Sequence, residues 1–146
     1  MALLAVRTER RLEGRDAAQV WSEVGDLTRF HEWFPLHPVG SMTGDVPEVG
    51  NVIFATIRKG GDPQHPVRLE VREWEAGTRI LFAVDGVPGV DEAEFQVQVT
   101  GEPPHDSAKV ELRFKGDAGG FRARVVTYEV RRRFRTALDR LAGTSP

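Results

Sequence analysis

The chain has 146 residues, 40% of them hydrophobic and 29% charged, the length and balance of one globular domain able to bury roughly 70% of its unfolded surface. A formal net charge of −2 supplies no overall basic excess for a nucleic-acid partner. No cysteine is present, which excludes disulfides, thiol nucleophiles and thiolate metal sites and suits a reducing compartment, so the cytoplasm is the expected location.

The opening MALLAV is too short for a signal core and runs into Arg7, Glu9, Arg10 and Arg11. Nothing approaches the roughly 20 apolar residues of a spanning helix, so neither a leader nor a membrane span is expected. Leu4, Val6, Thr8, Arg10 and Leu12 share one side of a period-two pattern, which predicts a first strand closed by Gly14.

Asp16 followed three residues later by Gln19 has the spacing of a capping box, and Val20, Trp21 and Val24 form the stripe of a short helix stopped near Gly25. Asp26 is placed to cap a second helix carrying Leu27, Phe30, Trp33 and Phe34. Pro35 disfavours helical geometry at Phe34 and ends it there.

The following stretch alternates in short runs between turn residues, as a meander does. Gly44 to Gly50 reads as a loop, and in the strand from Asn51 to Lys59 either Val52, Phe54 and Thr56 or Ile53, Ala55 and Ile57 face inward. KGGDPQHP reads as a turn. Val67, Leu69 and Val71, then Ile80, Phe82 and Val84 beyond Gly77, then Ala93, Phe95, Val97 and Val99 beyond a loop with Gly86, Pro88 and Gly89, each make one apolar strand face.

Beyond GEPPHD, Ala108, Val110, Leu112 and Phe114 form the last such face, and Gly116, Gly119 and Gly120 punctuate the end of the sheet. From Phe121 to Leu141 the period becomes helical, with Ala123, Val126, Val130, Phe134, Ala137 and Leu141 on one stripe. Residues 1–142 are expected to form a single domain and 143–146 a tail.

The order of strand, two short helices, antiparallel meander and long C-terminal helix, with Val20, Trp21, Asp26, Trp33 and Pro35 in the pattern VW-x4-D-x6-W-x-P, Gly50 opening the next strand and LDRLAG near the end, resembles the START and polyketide cyclase superfamily. The resemblance covers nearly the whole chain. It implies the α+β helix-grip fold, in which a curved antiparallel sheet of about six to seven strands wraps the terminal helix. It also implies an apolar small-molecule ligand of polyketide, lipid or aromatic type, held between sheet and helix.

Within such a tunnel the candidate wall residues are Trp33, Phe34, Phe54, Phe82, Phe95 and Phe114, with Trp33 the leading one; Phe134 of the long helix is also able to line it but is favoured as plain core over Phe82 or Phe95. Arg10 and Arg58 extend inward strand parities; each is placed either to hold a ligand carbonyl or enolate, or at a strand end open to solvent. Phe121, Val125 and Tyr128 lie opposite the main helix stripe. They are expected to meet a lid over the tunnel mouth or a second subunit, so Phe121 and Tyr128 join the cavity candidates and a homodimer is one way to cover them.

The run Arg131, Arg132, Arg133, Arg135 points in several directions around a helix and reads as a solvated surface rather than a nucleic-acid site. No nucleophile elbow, phosphate loop or dinucleotide fingerprint is present. His31, His37, His65 and His105 lack metal-ligand spacing, so no metal or other cofactor is expected. The resemblance leaves three functions in view. They are binding with cyclase or dehydrase-like activity achieved by orienting a reactive ligand, a quinone- or lipid-binding accessory role, and an interaction module of the chaperone-activating type.

Overall fold

A computed structural model describes residues 2–39, 48–59, 62–101 and 107–143, with the side chains of residues 2, 38, 58, 59 and 62–65 outside the described part. The elements are β1 (Ala2–Glu13), α1 (Ala17–Val24), a 3-10 turn (Leu27–Arg29), α2 (Phe30–Trp33), β2 (His37–Pro38), β3 (Val52–Lys59), β4 (Asp62–Glu75), β5 (Arg79–Asp85), β6 (Asp91–Gly101), β7 (Ser107–Ala118) and α3 (Gly120–Gly143). The seven strands form one antiparallel sheet in the order β1-β7-β6-β5-β4-β3-β2. With α3 laid against its inner face, this is the α+β helix-grip arrangement that the sequence predicts.

The helix pair forms as its capping residues dictate. The Asp16 carboxylate accepts from the Gln19 amide at 2.8 Å while the Gln19 side chain accepts from the Asp16 amide at 2.9 Å, a complete capping box. Asp26 accepts from both the amide and the hydroxyl of Thr28, so it starts the 3-10 turn rather than an α-helix directly. Phe34 is extended at φ −97° and ψ 132°, as a residue before proline must be, and α2 stops after one turn.

Gly25 caps α1, but at φ −80° it is right-handed. Its reason is contact: a Cβ there would lie 2.7 Å from the Trp21 indole. Gly116 also departs from the expected role of a sheet terminator. It sits inside β7, where a Cβ would collide with the Val90 side chain. The true strand-to-helix turn is at Gly119 and Gly120, and Gly120 at φ +56° takes the left-handed geometry that favours glycine.

The parity of β3 is decided by burial. Ile53 and Ala55 are buried and Ile57 packs on the core, whereas Phe54 is 54% exposed. Strand β4 begins at Asp62, inside the run read as a turn, because its first residues pair with the end of β3. The calls for Gly60, Gly61, His105 and most of the Gly44–Gly50 loop lie outside the described residues.

The predicted stripe of α3 is the packed one, with Val126, Phe134, Ala137 and Leu141 buried and Leu138 added. Toward its C-terminus α3 is tied to β1 and to the turn that follows it. Arg10 on β1 reaches Asp139 at 2.5 Å, which removes Arg10 from any cavity. Buried Arg15 donates to the Leu141 carbonyl at 2.9 Å and pairs with Glu23 of α1 at 3.0 Å, placing a cation at a helix C-terminus where the backbone dipole favours it. Residue 143 is still helical, and 144–146 lie outside the described residues.

Candidate functional site

The N-terminal half of α3 does not close onto the sheet. A cavity of about 120 Å³ remains there, lined from the strands by Ile57, Val67, Leu69, Val84, Phe95 and Phe114. The residues after α2 add Phe34 and Leu36, and the β5–β6 loop adds Val87 and Pro88. The helix supplies Val125, Val126, Val130 and Phe134, together with all the ionisable lining: Arg122, Glu129 and Arg133.

The strand contributions follow from parity. Alternate residues face inward, namely Val67, Leu69 and Val71 of β4, Ile80, Phe82 and Val84 of β5, Ala93, Phe95, Val97 and Val99 of β6, and Ala108, Val110, Leu112 and Phe114 of β7, all aliphatic or aromatic. Phe95 links the cavity wall to the ring cluster behind it: its centroid lies 5.1 Å from Phe34, 5.6 Å from Phe134 and 5.8 Å from Phe82, the last pair stacked. These spacings are those of favourable aromatic pairs, so the wall is a packed set rather than a loose one.

Sequence-predicted positions divide into three groups. Phe34, Phe95 and Phe114 line the cavity. Trp33 and Phe82 sit one layer behind it, 2% and 1% exposed, with Phe30 between them at 5.0 Å from Trp33 and 5.8 Å from Phe82. Trp33 is therefore core rather than wall, and its indole Nε1 has no hydrogen-bond partner among the described residues.

Phe54, Phe121 and Tyr128 are not walls at all. Phe54 points off the outer face of β3, and Phe121 and Tyr128 are 79% and 67% exposed on the outer side of α3. Val125, the third residue of that expected patch, is half-buried and lines the cavity with Val87 and Pro88, and Gly89 of the same loop lies beside the Arg122 side chain, so the β5–β6 loop approaches α3 there and leaves Phe121 and Tyr128 exposed. Arg58 falls in β3, with its side chain outside the described part.

Phe134 and Arg133, like Val125, line the cavity although the sequence reading favoured other places for them. Phe134 lines the cavity from the helix, where its stripe position signalled burial without distinguishing a wall from solid core. Arg133, read as part of a solvated arginine run, is half-buried, and its Nη1 donates to the Pro35 carbonyl at 2.9 Å. Burial holds the Arg133 pKa below the ordinary arginine value, with Glu129 opposing that shift and Arg132 adding to it. The position is one residue from buried Phe134, which was the available signal.

Glu129 faces the same cavity and takes Arg132 as an ion-pair partner at 2.9 Å. Among the described residues no group of three or more His, Asp or Glu is arranged to hold a metal. No described helix is long and apolar enough to cross a membrane. Chemically, the site can enclose an apolar body: its ionisable residues all come from α3, and the surface it exposes is almost entirely apolar.

Residues 4–145 match the family model described as polyketide cyclase/dehydrase and lipid transport. No curated protein shows significant sequence similarity to the chain. Among solved structures, an uncharacterised protein from Bacillus thuringiensis is similar with a TM-score of 0.74 at 15% identity, over 95% of this chain and 96% of that one. A START superfamily protein from Mycobacterium smegmatis has a TM-score of 0.70 at 12% identity, over 96% and 95% of the two chains. Norcoclaurine synthase from Thalictrum flavum, in complex with dopamine and hydroxybenzaldehyde, has a TM-score of 0.72 at 14% identity, over 97% and 86%. At such identities these likenesses speak to the fold alone.

Proposed function

The chain belongs to the polyketide cyclase/dehydrase and lipid transport family, and we propose that it binds one small, mainly apolar molecule of aromatic type in the cavity between the sheet and the N-terminal half of α3. The observation that carries this reading is the cavity itself. Its volume of about 120 Å³ is close to the roughly 150 Å³ of an engineered apolar cavity that takes up benzene. It is well below the roughly 300–1,000 Å³ of sites for drug-sized ligands.

Size thus ranks the ligand classes. A single ring enters without rearrangement, and the rings of Phe34, Phe95 and Phe134 offer it faces and edges. A multi-ring polyketide or a long acyl chain requires α3 and the Val87–Pro88 loop to separate. The complex of norcoclaurine synthase with two small phenolic molecules supports a single-ring ligand for a cavity of this construction. A cavity of this kind supports cyclase or dehydrase-like turnover by holding a reactive ligand in one conformation against its walls.

The test is a titration of the protein with toluene followed by NMR of the valine methyl groups. Binding that perturbs Val84, Val126 and Val130 is expected, and Val126→Phe should abolish it by filling the space while the fold persists, since overpacking costs typically about 1–3 kcal/mol. Toluene leaving these methyl groups unperturbed would overturn the reading.

A further inference from the structure

We infer that the outer face of α3 docks on a lipid bilayer that carries anionic headgroups. Phe121, Arg124, Tyr128, Arg131 and Arg135 alternate steps of three and four residues, which sets them on one stripe opposite the packed side of the helix. All five are exposed, Phe121 to 79% and Tyr128 to 67%. Four of them, Arg124, Tyr128, Arg131 and Arg135, also line one shallow surface depression with Ala123 and Thr127. The charge on the stripe has a single sign. The acids of α3 are engaged elsewhere, Glu129 with Arg132 and Asp139 with Arg10, and among the described residues Arg124, Arg131 and Arg135 have no carboxylate partner. The chain as a whole has a formal net charge of −2, so this positive charge is local rather than global.

The mixture of bare rings and unpaired cations selects the occupant. A second copy joined by a two-fold axis through this face would set arginine against arginine. A soluble polyanion would take the charge and leave the Phe121 ring in water. A stable protein interface takes roughly 800 Å² from each partner, whereas this stripe is about 21 Å long and about one helix diameter, ~10 Å, across. A bilayer needs no matching relief and supplies both components. Its anionic headgroups meet the guanidinium groups, and the apolar layer beneath receives the Phe121 ring, with Tyr128 at the interfacial depth its hydroxyl favours. The long arginine stems let the charged ends stay among the headgroups while the rings go deeper. Docked in this way, the half of α3 whose inner side borders the cavity lies along the membrane surface.

The experiment measures co-sedimentation of the full chain with vesicles of phosphatidylcholine alone and of phosphatidylcholine mixed with phosphatidylserine, at low and high salt. Binding is expected only where phosphatidylserine is present, and it should weaken as salt screens the arginines. Arg124→Gln, Arg131→Gln and Arg135→Gln should each weaken partitioning by about fivefold, and Phe121→Ser by roughly tenfold. Should any variant fail to fold, the headgroup and salt dependence of the unaltered chain decides the matter. Vesicle binding that is absent, indifferent to phosphatidylserine or indifferent to the arginine changes overturns the inference. Polyglutamate or duplex DNA bound as tightly as the vesicles, with no loss in Phe121→Ser, overturns it in favour of a soluble acidic partner. Each of these failures leaves toluene binding in the cavity untouched.

Discussion

The rings of Phe34 and Phe95 stand 5.1 Å apart, one at the residue where Pro35 ends α2 and the other at the middle of β6. That contact joins the helix pair to the sheet at the cavity wall. Phe95 also reaches Phe30, Phe82 and Phe134, so one side chain bridges the solid core and the open space.

Replacing this ring separates the two roles. Phe95→Ala should lower stability by about 3–5 kcal/mol, as buried phenylalanine truncations do. It should also enlarge the cavity enough for naphthalene, a ligand too large for the unaltered site. Denaturant unfolding and naphthalene titration check both parts. A loss under about 1 kcal/mol would show that the ring is not packed as described.

Gly25 offers a case in which two physical arguments disagree. Its right-handed backbone alone makes Gly25→Ala stabilising by about 0.4–1 kcal/mol through the unfolded state. The Trp21 indole, 2.7 Å from the position of the new Cβ, makes it destabilising by about 1–3 kcal/mol. The contact should win, and the cost should disappear in a Trp21→Ala background. Equal effects in both backgrounds would refute the contact account.

Glu111 carries a pH signature. On the outer face of β7 it is only 7% exposed, and it lies directly opposite Glu9 of β1. Burial opposes its ionisation, but the hydrogen bond from Arg7 and the charge of Arg113 outweigh that, leaving its pKa below the ordinary carboxylate value. A depressed folded pKa gives stability that is complete above the unfolded value near ~4.3 and is lost as pH falls through the folded one. Glu111→Gln should therefore be less stable by about 1 kcal/mol at neutral pH, and the difference should vanish in acid. A pH-independent difference in denaturant midpoints would contradict this.

Phe121 and Tyr128 should be silent in ligand uptake. Both point away from the cavity, so Phe121→Ser and Tyr128→Ser should change stability by no more than about 0.5 kcal/mol and leave toluene binding intact. Loss of binding in either variant would make that side of α3 a lid.

Local rules determined a large part of this molecule. Capping boxes act within four residues, a proline constrains its neighbour, and strand parity has a strict period of two. The helix pair, the strand faces and the stripe of α3 could therefore be read from residues such as Asp16, Pro35, Val67, Leu69 and Phe134. Even Gly50 and Gly120, where φ is positive, stood out as punctuation.

The tertiary structure decided what no local rule contains, namely which buried group faces a void and which faces another side chain. Trp33 and Phe34 are neighbours with the same chemistry, yet Trp33 packs behind Phe30 while Phe34 borders the cavity. Gly25 and Gly116 were legible as glycines, but their cause is a close approach by Trp21 and Val90. Arg133 shows the difference most sharply. By its own sequence it is one of an arginine run, and only the fall of α3 across Pro35 half-buries it and gives it the Pro35 carbonyl as a partner. Burial is a property of what surrounds a residue, and those surroundings come from segments about a hundred positions away.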